Sequence, residues 1–391
     1  MKKVLLTGAL FLAMATAYAQ TNTAVISQTG EGNTVAVGQD GNDQFVDILQ
    51  DGDDNTAITE QTSTFSQEII ITQYGTSNEA TALQNEQAGP GNLIDILQDG
   101  TGNSAIVDQS DFFTIAATTI VTQTGTGNSA DVNQRGTIGS TTDGAVLSVV
   151  EIEQNGTDAG FTSAGNAAFV TQTNSFNDLT QIFQNGDGNV AEVEQTGEIN
   201  WAYISQNSVF GPQYAGVFQD GVDNWAFIFQ EADAGPNNFA AIGQQGETNT
   251  AVIDQSDFLT IGATALVSQL GDVNFAEVYQ FGAIGSVALV EQTGDFNYAG
   301  VLQQDDLASY AEISQTGDLN ATALLQTGGL NEGYITQDGD ENVTTGVTNS
   351  FVLQDGFFNF LNVTQTGVAG LVQLDQVGDF NTAIVNQNNV P

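Results

Sequence analysis

The 391-residue chain sets 47 acidic side chains against three basic ones, lacks cysteine and histidine, and is 40% hydrophobic with 23 phenylalanines. That balance excludes nucleic-acid binding, which needs clustered Lys and Arg, and the missing residue types exclude disulfide staples, Cys/His nucleophiles, Ser-His-Asp triads and the common zinc sites. The apolar content is too high for a disordered polyanion, so a core forms wherever the pattern lets apolar residues meet.

The first nineteen residues, "MKKVLLTGALFLAMATAYA", combine two lysines, an apolar run and an Ala17-Tyr18-Ala19 end, the pattern of a cleaved secretory signal. Residues 20–391 are therefore read as one secreted domain, extracellular or at the cell surface. Without the signal, Arg135 stands against 47 acids, a net charge of 1 − 47 = −46. Such a chain stays soluble by self-repulsion and attracts cations. No later segment is continuously apolar for the ~20 residues of a spanning helix, so no membrane span is expected.

From Asn22 to Gln387 one unit repeats. Thirty glutamines, Gln28 to Gln387, end successive segments, and 17 of the 29 intervals between them are eleven residues long. Val, Ile or Leu stands two residues before the glutamine in 28 of 30 cases, the exceptions being Thr59 and Ala82. Small or apolar residues stand four before it, and Asn most often six before it. Positions two apart share a face only in an extended chain, so each segment is predicted to be a strand with inward Asn, Ala, Ile/Val and Gln. The x-Gly-x-x stretch between Gln and the next Asn supplies a tight turn. A helix is excluded, because the apolar positions alternate by two and glycine interrupts every unit.

Two strands and their turns make one coil, which predicts an all-β, two-sheet parallel β-solenoid of about 15 strand-turn-strand coils. Stacked in register, each amide lies over its own kind and bonds up and down the column, as in amyloid. The nominated ladder residues are Gln50 and Asn55, Gln98 and Asn103, Gln184 and Asn189, Gln195 and Asn200, Gln219 and Asn224, Gln269 and Asn274, and Gln292 and Asn297. Gly52, Gly100, Gly186, Gly197, Gly221, Gly271 and Gly294 are the matching turn glycines.

Longer intervals, such as Gln61 to Gln73, Gln84 to Gln98 and Gln109 to Gln123, alternate with short ones, which places the variable loops on one edge of the stack. "QSDFFTIAATTIVTQ" from Gln109 returns as "QSDFLTIGATALVSQ" from Gln255, an offset of 146 residues read as duplication by whole coils. The intervals of twenty and eighteen between Gln134 and Gln172 predict a long loop or a broken coil there.

Outward positions carry acids and aromatics. Trp201, Tyr203, Trp225, Phe227, Phe229, Phe275, Tyr279 and Tyr298 fall on the same strand of neighbouring coils, a stripe suited to lateral contact. Acidic turns such as Asp51-Gly52-Asp53-Asp54 and Asp338-Gly339-Asp340-Glu341 make calcium or another cation a candidate ligand, with solvated turn acids as the plainer reading. No other cofactor or metal is expected, and no catalytic residue is nominated, because no carboxylate pair differs from its many copies.

Ser286, Gln292, Gly294, Asn297, Ala299 and Gln303 match Ser-x5-Gln-x-Gly-x2-Asn-x-Ala-x3-Gln, so the chain resembles the curlins, the subunits of bacterial curli fibres. The Gln-to-Gln portion of that motif occurs eleven times, first at Gln50 and last at Gln376. The resemblance implies a functional amyloid: a solenoid stacking end to end into extracellular fibres for biofilm matrix, adhesion and aggregation. Its implied partners are further copies of itself, other curlin-like subunits and a secretion or nucleation apparatus. Asn22 to Gln28 already fits the strand pattern, so the polar N-terminal export segment of curlins is not expected here, and neither end of the solenoid is expected to be capped. The competing reading is a monomeric secreted adhesin or ligand-binding solenoid.

Overall fold

The computed structural model describes residues 22–63, 66–85, 89–110, 114–137, 148–155, 165–186, 188–208, 211–231, 235–257, 259–347 and 350–389. The signal assigned to Met1–Ala19 lies outside them. Every described element is a strand, and the strands form two parallel sheets of 17 and 15 segments. Two levels of the larger sheet are split, Val343–Thr345 with Val352–Phe357 and Leu371–Gln373 with Asp375–Val377, which leaves 17 − 2 = 15 levels in each sheet. The first sheet begins with Thr23–Thr29 and the second with Thr34–Gly41. The chain visits them alternately, so this is the expected two-sheet β-solenoid.

Register is set by the glutamines. Gln28 lies opposite Gln50, Gln50 opposite Gln73 and Gln73 opposite Gln98 in the first sheet, while Gln39, Gln61 and Gln84 align in the second. The inward faces enclose one core of alternating Ala and Ile, Val or Leu, including Ile48, Ala57, Ile71, Ala80, Ile204 and Ala215. Pairing a small residue with a branched one fits the ~10 Å between packed sheets without overpacking. Thr59 and Ala82, the exceptions to the aliphatic rule, are buried in the same positions.

The interval from Gln134 to Gln172 contains a complete coil. Val149–Asn155 pairs with Thr118–Thr126 below and Leu179–Gly186 above, and Ala167–Phe176 continues the second sheet. The stack is therefore unbroken, and the additional residues fall between the described strands.

Two sequence expectations are corrected by the register. Before this coil the longer connections run from the second sheet to the first, as from Gln61 to Gln73. After it, from Gln206 to Gln315, they run from the first to the second, as from Gln230 to Gln244, and the seventeen-residue interval from Gln337 to Gln354 returns to the earlier edge. Variable loops thus change edge midway along the stack. The 146-residue duplication causes the exchange, because Gln109 and Gln255 are eleven half-coils apart, an odd number. The first copy sends Thr118–Thr126 into the first sheet and the second sends Thr264–Leu270 into the second. Local bonding is retained: Ser110 accepts the Asn85 N–H at 3.0 Å, and Ser256 accepts the Glu231 N–H at 3.1 Å. The transferable unit is one strand plus one turn, since both sheets present the same inward pattern.

Candidate functional site

The interior is threaded by two glutamine columns. In the first sheet, fourteen side-chain bonds of 2.7 to 2.9 Å run without interruption from Gln28 to Gln376. In the second, fourteen of 2.8 to 3.0 Å run from Gln39 to Gln387. In all of them Nε2 donates to Oε1 of the glutamine one coil nearer the C-terminus. The second amide hydrogen commonly crosses to the facing strand, as from Gln73 to the Thr56 carbonyl at 3.0 Å. One amide therefore joins two coils and two sheets, which a hydroxyl or an ammonium could not do with the same donors and acceptors.

The asparagines work differently from the simple amide ladder expected of them. Oδ1 of Asn55 accepts the backbone N–H of Asn78 at 3.0 Å, and its Nδ2 reaches the Gly75 carbonyl in the next coil's turn at 2.9 Å. The same pattern recurs at Asn103, whose Oδ1 takes the Asn128 N–H, and at Asn224, which takes that of Asn249. Asn189, Asn200, Asn274 and Asn297 are buried in equivalent places. Side-chain to side-chain contacts accompany the main-chain bonds in part of the column, such as Asn274 to Asn249 at 3.1 Å. Asparagine is thus a clamp between a strand start and the turn above it. A left-handed residue precedes it, Asp54 at φ 56° for example, and the clamp occupies backbone groups which that kink takes out of the ladder.

The turn glycines have two reasons to be glycine. Gly52, Gly100, Gly186, Gly197, Gly221, Gly271 and Gly294 all have positive φ, between 99° and 143°. A Cβ at Gly100 would also sit 2.0 Å from the Gly125 carbonyl oxygen of the next coil. Sequence reasoning foresaw the first reason and not the second, because only stacking brings one turn onto another.

On the outer face of the first sheet, Trp201, Trp225, Thr250, Phe275 and Tyr298 occupy one register column, and Tyr203, Phe227, Val252 and Glu277 the next. Trp201 packs edge-on to Trp225 at 5.4 Å and to Phe227 at 5.1 Å, while Tyr203 meets Phe229 at 5.4 Å. Phe275 stacks on Tyr298 at 5.8 Å. Tyr279 and Tyr298 both donate to Glu277, at 3.1 and 2.5 Å, and burial together with that carboxylate pushes the Tyr279 hydroxyl up to about 12. The stripe is half-buried by its own packing; Trp225 and Phe275 are its most open members.

Turn aspartates are engaged by the backbone. Carboxylates of Asp295, Asp318 and Asp340 accept N–H groups of Asp272, Asp295 and Asp318 at 2.9 to 3.0 Å, forming a column of their own along one edge. Asp53 likewise accepts the Glu31 N–H at 2.8 Å. Among the described residues no group of three or more acidic side chains is arranged to hold a metal ion, and no helix is long and apolar enough to cross a membrane.

Two further features stand apart from the nominated positions. Asp178 and Asp306 are buried, each beside a register irregularity, at Thr173/Phe176 and Gln304/Asp306 respectively. Burial raises both carboxyls to about 7. The fixed spacing hid Asp306, because it lies in a bulged turn; Asp178 was visible as the lone acid six before a glutamine. The second feature is a pair of lines of exposed apolar residues at left-handed turn positions, Val273, Phe296 and Leu319 on the edge where the chain passes from the second sheet to the first, and Leu330, Phe358 and Phe380 on the opposite edge.

At the two ends the interior opens. Thr23–Thr29 pairs along one edge with Gln44–Asp53, and Thr382–Asn389 along one edge with Phe360–Gly367; no other described strand pairs with them. Val35, Val37, Ala383 and Val385 are only partly buried against the core. Residues 20–52 match the family model described as curlin associated repeat. No curated protein matches the chain.

Proposed function

Taking the chain as a curlin-repeat protein, we propose that it is a secreted structural subunit that polymerises end to end into curli-like amyloid fibres of an extracellular matrix, with roles in adhesion and aggregation. The observation that carries this reading is the common direction of the glutamine columns. The N-terminal coil offers the Oε1 atoms of Gln28 and Gln39, while the C-terminal coil carries Gln376 and Gln387 at the donor ends of the same columns. Joining one chain's C-terminal coil to another's N-terminal coil continues both ladders. That is a heterologous contact, which propagates rather than closes.

Each junction also pairs two open strand edges and covers the partly buried Val35, Val37, Ala383 and Val385. The fibre's own partner is thus a second copy of the chain, and no catalytic role is assigned. The aromatic stripe around Trp201 and Trp225 is the proposed lateral contact between rods. Replacing Trp201, Trp225 and Phe227 with Thr is expected to keep the coil register and reduce bundling.

The test is assembly of the purified chain 20–391. Seeded, concentration-dependent growth in light scattering with unbranched fibres by microscopy is expected, with the monomer growing onto seeds made from the same protein. A monomer that stays stable at high concentration in the presence of seeds sinks the reading.

A further inference from the structure

The outer face of the second sheet is hollowed in its middle coils. In most coils bulky or charged side chains fill the three outward positions of a strand. Across Val190–Glu198, Tyr214–Val222, Phe239–Glu247, Thr264–Leu270 and Val287–Thr293 they give way to Gly216, Ala241, Gly243 and Ser268. Register makes these positions neighbours: Glu192, Gly216, Ala241, Leu266 and Leu289 form one column, and Glu194, Phe218, Gly243, Ser268 and Glu291 the next. The missing side chains leave a groove of about 490 Å³. This is within the usual range of small-molecule sites, roughly 300 to 1,000 Å³.

Its walls are apolar and flat. Tyr214 and Phe239 stack face to face at 4.8 Å with their rings only 5° apart. Phe218 and Leu266 remain 43% and 37% exposed, so the apolar surface is open rather than packed away. Both ends are anionic, with Glu192 and Glu194 at one and Glu291 at the other, four strand steps apart, or ~19 Å at the usual strand spacing. Glu192 is oriented by the Tyr214 hydroxyl, which donates to it at 2.9 Å. No basic side chain lines the groove.

We propose that this groove is a binding site for an elongated, planar aromatic cation. Ring faces and an aliphatic floor desolvate a flat apolar body, and the carboxylates at the ends select positive charge. An aliphatic polyamine would meet the carboxylates and waste the floor. A planar anion would meet the floor and be repelled at both ends. The groove lies within a single chain, so the inference holds whether or not the protein assembles into fibres.

The experiment is titration of the full chain 20–391 with proflavine, followed by fluorescence anisotropy, with spermine and 8-anilinonaphthalene-1-sulfonate as comparison probes. Gly243→Val fills the groove. A Cβ at Gly243 meets nothing within 4 Å, so this variant is expected to fold. The expected result is one proflavine per chain, binding at least about tenfold weaker in Gly243→Val, a loss of ~1.4 kcal/mol. Glu192→Gln combined with Glu291→Gln is expected to weaken binding several-fold and flatten its salt dependence. Circular dichroism and the unfolding midpoint of each variant confirm that the fold is kept. Unchanged proflavine affinity in a folded Gly243→Val overturns the proposal. Displacement of proflavine by equimolar spermine, or equal affinity for the anionic dye, overturns it as well.

Discussion

Gln206 donates Nε2 to Oε1 of Gln230 at 2.9 Å, and Gln230 repeats the act toward Gln255 at 2.8 Å. All three side chains are buried, so each bond forms where water cannot replace it. Gln230→Leu keeps most of the volume but strands the Gln206 donor and the Gln255 acceptor, and it frees the Tyr214 carbonyl that Gln230 also serves. At about 1–3 kcal/mol for each stranded group, the variant should lose roughly 2–5 kcal/mol by urea unfolding of the monomer. A loss under about 0.5 kcal/mol would mean that the ladder fixes register without stabilising the fold.

Much of this was legible in the sequence because the solenoid converts a spacing into a position. Gln184 and Gln195 announce their burial by the Ile182 and Val193 two places earlier, and a period of two admits only a strand. The curlin-repeat pattern, the parallel sheets and the glutamine columns follow from that. What escaped was whatever depends on the approach of one coil to the next: the Gly100–Gly125 contact, the turn-clamping role of Asn55, and the edge exchange marked by Ser110 and Ser256. A one-dimensional period does not say which sheet a copy enters when both sheets read the same pattern. The groove at Gly216 and Gly243 was hidden for a related reason, since an absent side chain carries no periodic signal.

Gly100 and Gly102 separate conformation from contact within one turn. Both have positive φ, 135° and 66°, but a Cβ at Gly102 meets nothing within 4 Å whereas one at Gly100 strikes the Gly125 carbonyl. Gly102→Ala should therefore cost only the left-handed penalty, about 1–2 kcal/mol. Gly100→Ala adds a backbone clash that no rotamer relieves, and should exceed its neighbour's cost by at least about 1 kcal/mol. Equal losses in the unfolding midpoint would show that the turns do not press on one another.

Val273 holds a left-handed backbone at φ 58°, a conformation that a β-branched residue adopts only under strain. It is 40% exposed and its N–H bonds the Glu247 carbonyl at 2.8 Å, so neighbouring coils hold the turn in place. Asparagine tolerates this region without a branched Cβ. Val273→Asn should raise stability by about 1 kcal/mol while leaving strand content unchanged. A destabilised variant would reveal that the apolar line through Phe296 and Leu319 stabilises the monomer.

Asp178 stands in a column otherwise rich in asparagine. One of its oxygens accepts the Asn200 N–H at 2.8 Å and lies 3.4 Å from Asn200 Nδ2, with Ser175 and Glu198 the other polar groups nearby. Asp306 is bonded by the Ser309 hydroxyl at 2.6 Å. Burial is the main reason both carboxyls rise from 3.8 to about 7. The folded state then holds these protons more tightly than the unfolded chain does. The contribution of these two groups to stability rises as pH falls from above 7 toward 4, and the full cost of their buried charge is present above pH 7. A rise of that size corresponds to roughly 4 kcal/mol per group. Asp178→Asn restores the column's usual residue and removes one of the two charges. It should stabilise the chain at pH 8 by up to about 4 kcal/mol, with little change at pH 4.5, where Asp178 is already neutral. Urea midpoints of wild type and variant at the two pH values measure this. A stabilisation equal at both would assign the effect to hydrogen bonding by the amide rather than to the buried proton.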